Sequence, residues 1–182
     1  MKLPLGTSNV QLVITAPEPD GIRIAHEVGA RTTLGVLTTL IAQAKHTIVL
    51  AAPFMQPREG LSKDPLASAL ASALKRGVIV DLASTRDSLD TLDRDKLRNI
   101  AKKYIRFFQP SINYQDATKL GLHAKFCVVD AQYAYIGSAN LTQPGLQQHF
   151  EMGVLVRGNI AAQIEELWHY LVEKGFFVEV ET

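Results

Sequence analysis

A histidine and a lysine two residues apart carry the clearest chemical signal in this sequence. His123 and Lys125 lead into residues 125–130, a run of mostly apolar and β-branched residues that predicts a β-strand. Because side chains alternate along a strand, we expect both groups to leave the same face. Lys125 has three donors and no lone pair while it is protonated, so the pair suits an anion better than a metal ion.

A second predicted strand returns further polar groups to the same place. Residues 133–136 follow a short turn and end at Gly137 and Ser138. The hairpin brings Asn140 back towards His123 and adds an amide donor, while Ser138 adds a hydroxyl. Gly137 lets the backbone approach a ligand closely. An anion that also needs a histidine as nucleophile or proton shuttle is a phosphoryl group or an acyl oxyanion.

Together these residues resemble the HKD motif of the phospholipase D superfamily, His-x-Lys-x4-Asp-x6-Gly-Ser-x-Asn. The matching positions are His123, Lys125, Asp130, Gly137, Ser138 and Asn140. Glu151, eleven residues after Asn140, resembles the downstream acid of that family. The resemblance implies a metal-independent phosphodiesterase in which the motif histidine attacks phosphorus and forms a phosphohistidine, with no cofactor.

The resemblance also implies roles for the other site residues. Lys125 and Asn140 are expected to hold the non-bridging phosphate oxygens, with Ser138 close to the phosphate. Glu151 is expected to accept the second ring N–H of a histidine and fix its tautomer. Asp130 belongs to the catalytic motif, but at a strand end we expect it to give structural support.

Only one copy of the motif is present, because the remaining histidines lack a lysine two residues on. These are His26, His46, His149 and His169. Superfamily members with two motifs place two histidines face to face in one site. A chain with one copy is therefore expected to form a homodimer about a two-fold axis, with one shared active site.

The substrate is less constrained by the sequence. Single-motif chains of this size resemble the small nucleases of the superfamily, which favours DNA or RNA as partner. Residues 138–142 and 151–156 also resemble the phospholipase D-like component of bacterial DISARM anti-phage systems, which implies a defence role, within a larger complex. A phospholipid or small phosphodiester hydrolase or transferase, and a nucleic-acid-binding module that does not cleave, stay open. The one apolar entry for a lipid, Phe54 and Met55, is interpreted as a site rim or core edge.

Composition and charge indicate an ordinary globular protein. The 182 residues are 47% apolar, with 19 basic and 18 acidic side chains, so net charge gives no argument for nucleic acid. Residues 58–119 are richer in basic than acidic groups. Lys102, Lys103 and Arg106 in that region are candidates for following a phosphate backbone, or for favouring the carboxyl end of a predicted helix. Residues 10–15 are too short for the apolar core of a signal peptide, and no run is long enough to cross a membrane, so a cytoplasmic location is expected.

Strands and helices alternate along most of the chain. Predicted strands are 11–15, 47–52, 78–83, 104–108, 125–130, 133–136, 153–156 and 176–180, and predicted helices are 32–44, 65–77, 88–103 and 160–173. This order predicts an α/β fold in which a mixed β-sheet is sandwiched between helices, as the phospholipase D resemblance also implies. We expect one domain over residues 1–182, with 1–20 as an extended N-terminal segment. The single cysteine, Cys127, is expected to be buried, on the face of His123 and Lys125.

Overall fold

The computed structural model describes residues 9–55, 65–92, 94–112 and 121–180, and these build a mixed sheet covered by helices. The described strands are β1 Val10–Thr15, β2 Arg31–Thr32, β3 Thr47–Ala51, β4 Ile79–Ala83, β5 Ile105–Pro110, β6 Phe126–Val129, β7 Tyr133–Gly137, β8 Glu151–Arg157 and β9 Phe177–Glu179. The described helices are α1 Gly21–Glu27, α2 Thr33–Gln43, α3 Pro65–Lys75, α4 Arg86–Thr91, α5 Arg94–Ala101, α6 Gln143–Gln147 and α7 Asn159–Glu173, with a 3₁₀ turn at Lys102–Tyr104.

The strand order places the motif in the middle of the sheet. The order is β2-β1-β8-β7-β6-β3-β4-β5-β9. Strands β3, β4 and β5 run parallel, whereas β6, β7 and β8 form an antiparallel meander attached to β3, and β1 closes antiparallel on β8. The carboxyl ends of β3, β7 and β1 therefore meet the amino ends of β6 and β8 at one edge, which we call the site edge.

Two apolar cores cover the two faces of the sheet. In β3, Ile48 and Leu50 face the core under α2 and α3, while Val49 and Ala51 face the core under α7. This alternation follows from the period of two along a strand that is buried on both sides. Helices on both faces of a mixed sheet confirm the predicted α/β architecture.

The buried carboxylate of Asp81 connects α7 to the sheet and pairs with Arg106, one of the basic residues considered as a phosphate contact. Asp81 in β4 accepts a hydrogen bond from Nε1 of Trp168 at 2.8 Å and forms an ion pair with Arg106 at 2.8 Å. Arg106 lies in β5, two residues after the 3₁₀ turn that ends at Tyr104. Its guanidinium is thus occupied within the fold, which argues against its role in following a phosphate backbone.

Several predicted boundaries differ from the structure. The predicted helix 88–103 is wrong as one element, because Leu92 adopts an extended backbone with ψ of 138° and separates α4 from α5. Helices α1 and α6 and the short β2 were not predicted. The predicted strand 11–15 is present as β1, which is an integral strand of the sheet. Residues 1–8 and 56–64 lie outside the described residues.

Candidate active site

The predicted site residues His123, Lys125, Ser138 and Asn140 line one open cavity at the site edge. Its volume is about 490 Å³, and Gly137 and Ile136 complete one wall. His123 is exposed just before β6, so its imidazole is accessible to a substrate. The structure therefore brings together an imidazole, an ammonium, a hydroxyl and an amide, a set of groups that suits an anion.

Lys125 is buried within this cavity and tied to the histidine that precedes it. Its side chain is 8% exposed, and Nζ donates to the backbone carbonyl of His123 at 2.8 Å. Burial lowers the pKa of Lys125 below that of a free lysine, while the Glu151 carboxylate opposes this shift. The ammonium is therefore held near the histidine before any ligand arrives.

The lowered pKa predicts how anion binding depends on pH. Lys125 should lose its proton at a pH below the ordinary lysine pKa. The site should lose its affinity for phosphate over the same pH range. Replacing Lys125 by Arg should keep the charge and shift this loss to higher pH, even though the planar guanidinium fits less well. Affinity for inorganic phosphate measured by calorimetry from pH 7 upward, in a His123→Ala background that removes imidazole titration, checks this. Identical pH dependences for lysine and arginine would contradict it.

Glu151 lies beside the cavity and is bound by Ser138. The Ser138 hydroxyl donates to Oε2 of Glu151, and the Ser138 hydroxyl oxygen accepts the backbone N–H of Met152 at 3.2 Å. Nδ1 of His149 lies 3.8 Å from Oε1 of Glu151. Within the described residues, Glu151 thus contacts Ser138 and His149, and its predicted bond to a motif histidine stays a prediction.

Asn140 follows β7 in a tightly packed turn. The next residue, Leu141, pairs with Met55, and its N–H donates to the carbonyl of Phe54 at 3.1 Å. Oδ1 of Asn140 is buried without a hydrogen-bond partner among the described residues. A buried amide oxygen without a partner is costly, so a ligand or water donor at this position would be stabilising.

Tyr135 is a site-supporting residue that the sequence analysis missed. Its ring lies under Gly137 and Gly153, which are cross-strand partners in β7 and β8. Its hydroxyl faces Thr33, the backbone of Ala139 and Glu151, and burial raises its pKa, with the Glu151 carboxylate adding to the rise. The two glycines were the available signal, because a glycine pair inside strands marks a close approach of another group.

Adding a methyl group at Gly137 should destabilise the protein. A Cβ there would overlap the Tyr135 hydroxyl oxygen and lie 2.9 Å from the Met152 carbonyl oxygen. We expect Gly137→Ala to cost about 1–3 kcal/mol of unfolding free energy, the usual range for overpacking. Tyr135→Phe should return part of that loss in the double variant, because it removes the nearest atom. Urea unfolding of the two single variants and the double variant measures the coupling, and strictly additive losses would contradict the contact.

Asp130 lies at the other end of β6, away from the cavity. Its carboxylate accepts the backbone N–H groups of Lys45, His46 and Thr47 at 2.8–2.9 Å, and its own φ is +52°. These bonds fix the turn after β6 to the start of β3. The position fits the structural support expected for Asp130 and does not fit contact with a substrate in the cavity.

Cys127 is buried beneath the site and does not line the cavity. Burial raises the pKa of its thiol to about 12, so the nucleophilic thiolate is suppressed near neutral pH. Among the described residues, no group of three or more His, Cys, Asp or Glu side chains is arranged to hold a metal ion. In the same part of the chain, no helix has the length and apolar composition needed to cross a bilayer.

Comparison with known proteins connects this geometry to a family. The family model described as "Cardiolipin synthase, PLD-like domain" matches residues 37–171. The DISARM protein DrmC of Bacillus paralicheniformis is 26% identical over 177 residues, covering 95% of this chain and 67% of that protein. Other curated relatives, a phospholipase D of Dictyostelium discoideum and cardiolipin synthases, are covered over only 23–32% of their own length.

Solved structures show the same fold. Nuc from Salmonella typhimurium, a phospholipase D family member, has a TM-score of 0.63 at 20% identity, covering 95% of this chain and 98% of that one. NucT from Helicobacter pylori has a TM-score of 0.66 at 16% identity, covering 94% and 99%. The match of the family model over most of the chain, together with the cavity formed by the motif residues, confirms the resemblance seen in the sequence. This chain is a member of the phospholipase D-like family and belongs to its superfamily of phosphodiesterases.

Proposed function

We propose that this protein is a metal-independent nuclease that cleaves DNA or RNA through a phosphohistidine intermediate. The observation that carries the proposal is the single cavity lined by His123, Lys125, Ser138 and Asn140. Its chemistry suits a phosphodiester, and the full-length structural matches to Nuc and NucT favour a nucleic-acid backbone over a lipid headgroup. The similarity to DISARM protein DrmC supports, as part of the proposal, a role in anti-phage defence in a larger complex.

The proposed reaction has two displacements. An imidazole nitrogen of His123 attacks phosphorus and forms a P–N bond, while the P–O bond to the leaving nucleotide breaks. A second histidine gives its proton to that leaving oxygen. The same histidine then takes a proton from water, whose oxygen attacks phosphorus and releases His123. Lys125 and Asn140 stabilise the charge on the non-bridging oxygens in both steps.

A second copy of the chain would supply the second histidine. Beside His123, an apolar groove of about 310 Å³ is lined by Ile136, Ile164 and Leu167, among others. Leu167 on α7 is 56% exposed, and Ile136 is also exposed. An apolar surface next to an incomplete two-histidine site is well placed for isologous pairing about a two-fold axis. We therefore include a homodimer with a shared site in the proposal.

The test is cleavage of plasmid and single-stranded DNA and RNA in excess EDTA, with the mass of the protein measured in solution. We expect chelator-resistant cleavage by a dimer. A charged substitution in the groove, Leu167→Arg, should yield a folded monomer with little activity. Cleavage that EDTA abolishes would contradict the metal-independent route, and an active strict monomer would contradict the shared site. A folded dimer that turns over phospholipid but leaves all nucleic acids intact would favour the lipid alternative, and tight DNA binding without turnover would favour a binding module.

A further inference from the structure

Two exposed phenylalanines flank the candidate site. Phe54 follows β3 and is 57% exposed, and Phe150 directly precedes β8 and is 67% exposed. Large aromatic side chains bury well in a core, so two that stay exposed beside one cavity are informative. Phe54 and Met55, which the sequence analysis interpreted as a site rim or core edge, therefore differ. Met55 is buried and Phe54 is exposed.

Each phenylalanine is tied to a residue of the site. The carbonyl of Phe54 accepts the N–H of Leu141, the residue next to Asn140, at 3.1 Å. Phe150 directly precedes Glu151 in the chain, and the Glu151 carboxylate accepts a hydrogen bond from the Ser138 hydroxyl. The strands at this edge follow the order β8-β7-β6-β3, so the backbones of the two residues lie about three strand spacings, or about 14 Å, apart. Strands β6 and β7, whose ends line the cavity, lie between them.

We propose that Phe54 and Phe150 are base-stacking platforms, and that the substrate of this site is single-stranded nucleic acid. This inference rests on the proposed nuclease function and specifies its substrate. A strand whose phosphate lies on Lys125 and Asn140 would carry unpaired bases on either side, each able to stack on a phenyl ring. In a duplex the base faces are covered by neighbouring bases, so the same rings gain nothing unless the duplex is unstacked.

The polar groups between the rings argue against a membrane as the occupant. His123, His149 and Glu151 lie at the same edge, and inserting both phenyl rings into a lipid surface would also desolvate these groups. A strand of nucleic acid instead leaves the polar centre in contact with its phosphates. The alternation of ring, anion site and ring therefore suits a polymer in which bases and phosphates alternate.

Tryptophan fluorescence tests the contact directly. The only native tryptophan, Trp168, is 2% exposed, so it gives a constant background. Phe54→Trp and Phe150→Trp, each in a His123→Ala background, place a reporter at each platform. The matched control is Ile79→Trp in the same background, because Ile79 is 44% exposed at the start of β4, on the opposite edge of the sheet.

A short mixed-sequence single-stranded oligodeoxynucleotide should quench both platform reporters and leave the Ile79→Trp signal unchanged. The duplex of the same sequence should quench them less at equal occupancy. Phe54→Leu and Phe150→Leu should each weaken binding of the single strand by about 5- to 100-fold, the range for losing one stacked base. Fluorescence anisotropy of a labelled oligonucleotide measures that loss.

Three results would overturn the inference: no quenching at saturating oligonucleotide, equal quenching of the Ile79→Trp control, or equal affinity for strand and duplex with no effect of the leucine variants. A blue-shifted, brighter emission on vesicles of anionic phospholipid, without quenching by DNA, would overturn it in favour of a lipid surface. These readouts measure binding by a variant that cannot form the phosphohistidine. They are therefore separate from the cleavage assay, which tests the nuclease proposal itself.

Discussion

Replacing His123 by alanine is expected to abolish phosphodiester cleavage while leaving the fold and the affinity for substrate largely intact. His123 is exposed at the mouth of the cavity, and its imidazole supplies the bond to phosphorus in the proposed mechanism. Removing a nucleophile or base that acts as part of a unit typically lowers turnover by about four orders of magnitude or more. Initial rates on a labelled oligonucleotide in EDTA, together with anisotropy for binding, measure both effects.

His46→Ala is the matched control for this variant. His46 is also exposed, but it lies before β3 at the opposite edge of the sheet. Its N–H donates to Asp130 and its carbonyl accepts the N–H of Ile79, and the substitution keeps both of these backbone groups. We expect wild-type turnover from this control. Substantial residual cleavage by His123→Ala, or loss of cleavage in both variants, would contradict the role of His123.

The proposed shared site predicts that the alanine variant is dominant in mixtures. If each active site needs two copies of His123, refolding wild-type chains with excess His123→Ala chains should trap most wild-type subunits in inactive pairs. Specific activity per wild-type chain should then fall steadily as the variant is added. Activity that stays proportional to the wild-type fraction would show that one subunit suffices.

The second large effect is expected on stability, from replacing Asp130 by alanine. The carboxylate accepts three backbone N–H groups at the start of β3, and alanine would leave all three without that acceptor. It would also place an alanine at a φ of +52°, where Asp and Asn are tolerated better. We expect a loss of about 2–4 kcal/mol of unfolding free energy, measured by urea denaturation.

Asp130→Asn separates the hydrogen bonds from backbone strain. The amide keeps one acceptor oxygen and the preference for positive φ, so its loss should be smaller than that of alanine. Both variants should retain activity per folded molecule, because Asp130 does not line the cavity. Full stability combined with lost cleavage would reverse this assignment and place Asp130 in the chemistry.

The sequence predicted those parts of the molecule that are specified locally. The β6–β7 hairpin followed from alternating side chains and a short turn, and in the structure Asn140 lines the same cavity as His123. Helix α6 was missed although it has a local signal, since Thr142 caps it by accepting the N–H of Gly145 and a proline stands in its first turn. Its five residues are too few for a helical period to show.

Contacts that depend on register between distant strands could not be predicted. The position of Tyr135 against Glu151 and Thr33 requires knowledge of how β7, β8 and α2 meet. The hydrogen bond from the Ser138 hydroxyl to Glu151 depends on the same register. The break at Leu92 has no proline or glycine to signal it, so the local sequence did not reveal it.

The connectivity of the sheet also separates early from late steps in folding. Strands β6, β7 and β8 are consecutive in the chain, so the meander that carries the site residues can form through short loops. Pairing of β1 with β8 joins Val10 to Val156 and must close a much longer loop, as must pairing of β5 with β9. Non-local pairings of this kind slow folding, because loop entropy is lost before the contacts form. The anion-binding hairpin should therefore assemble before the strands that enclose it, and Thr15 joins Glu151 only when β1 closes on β8.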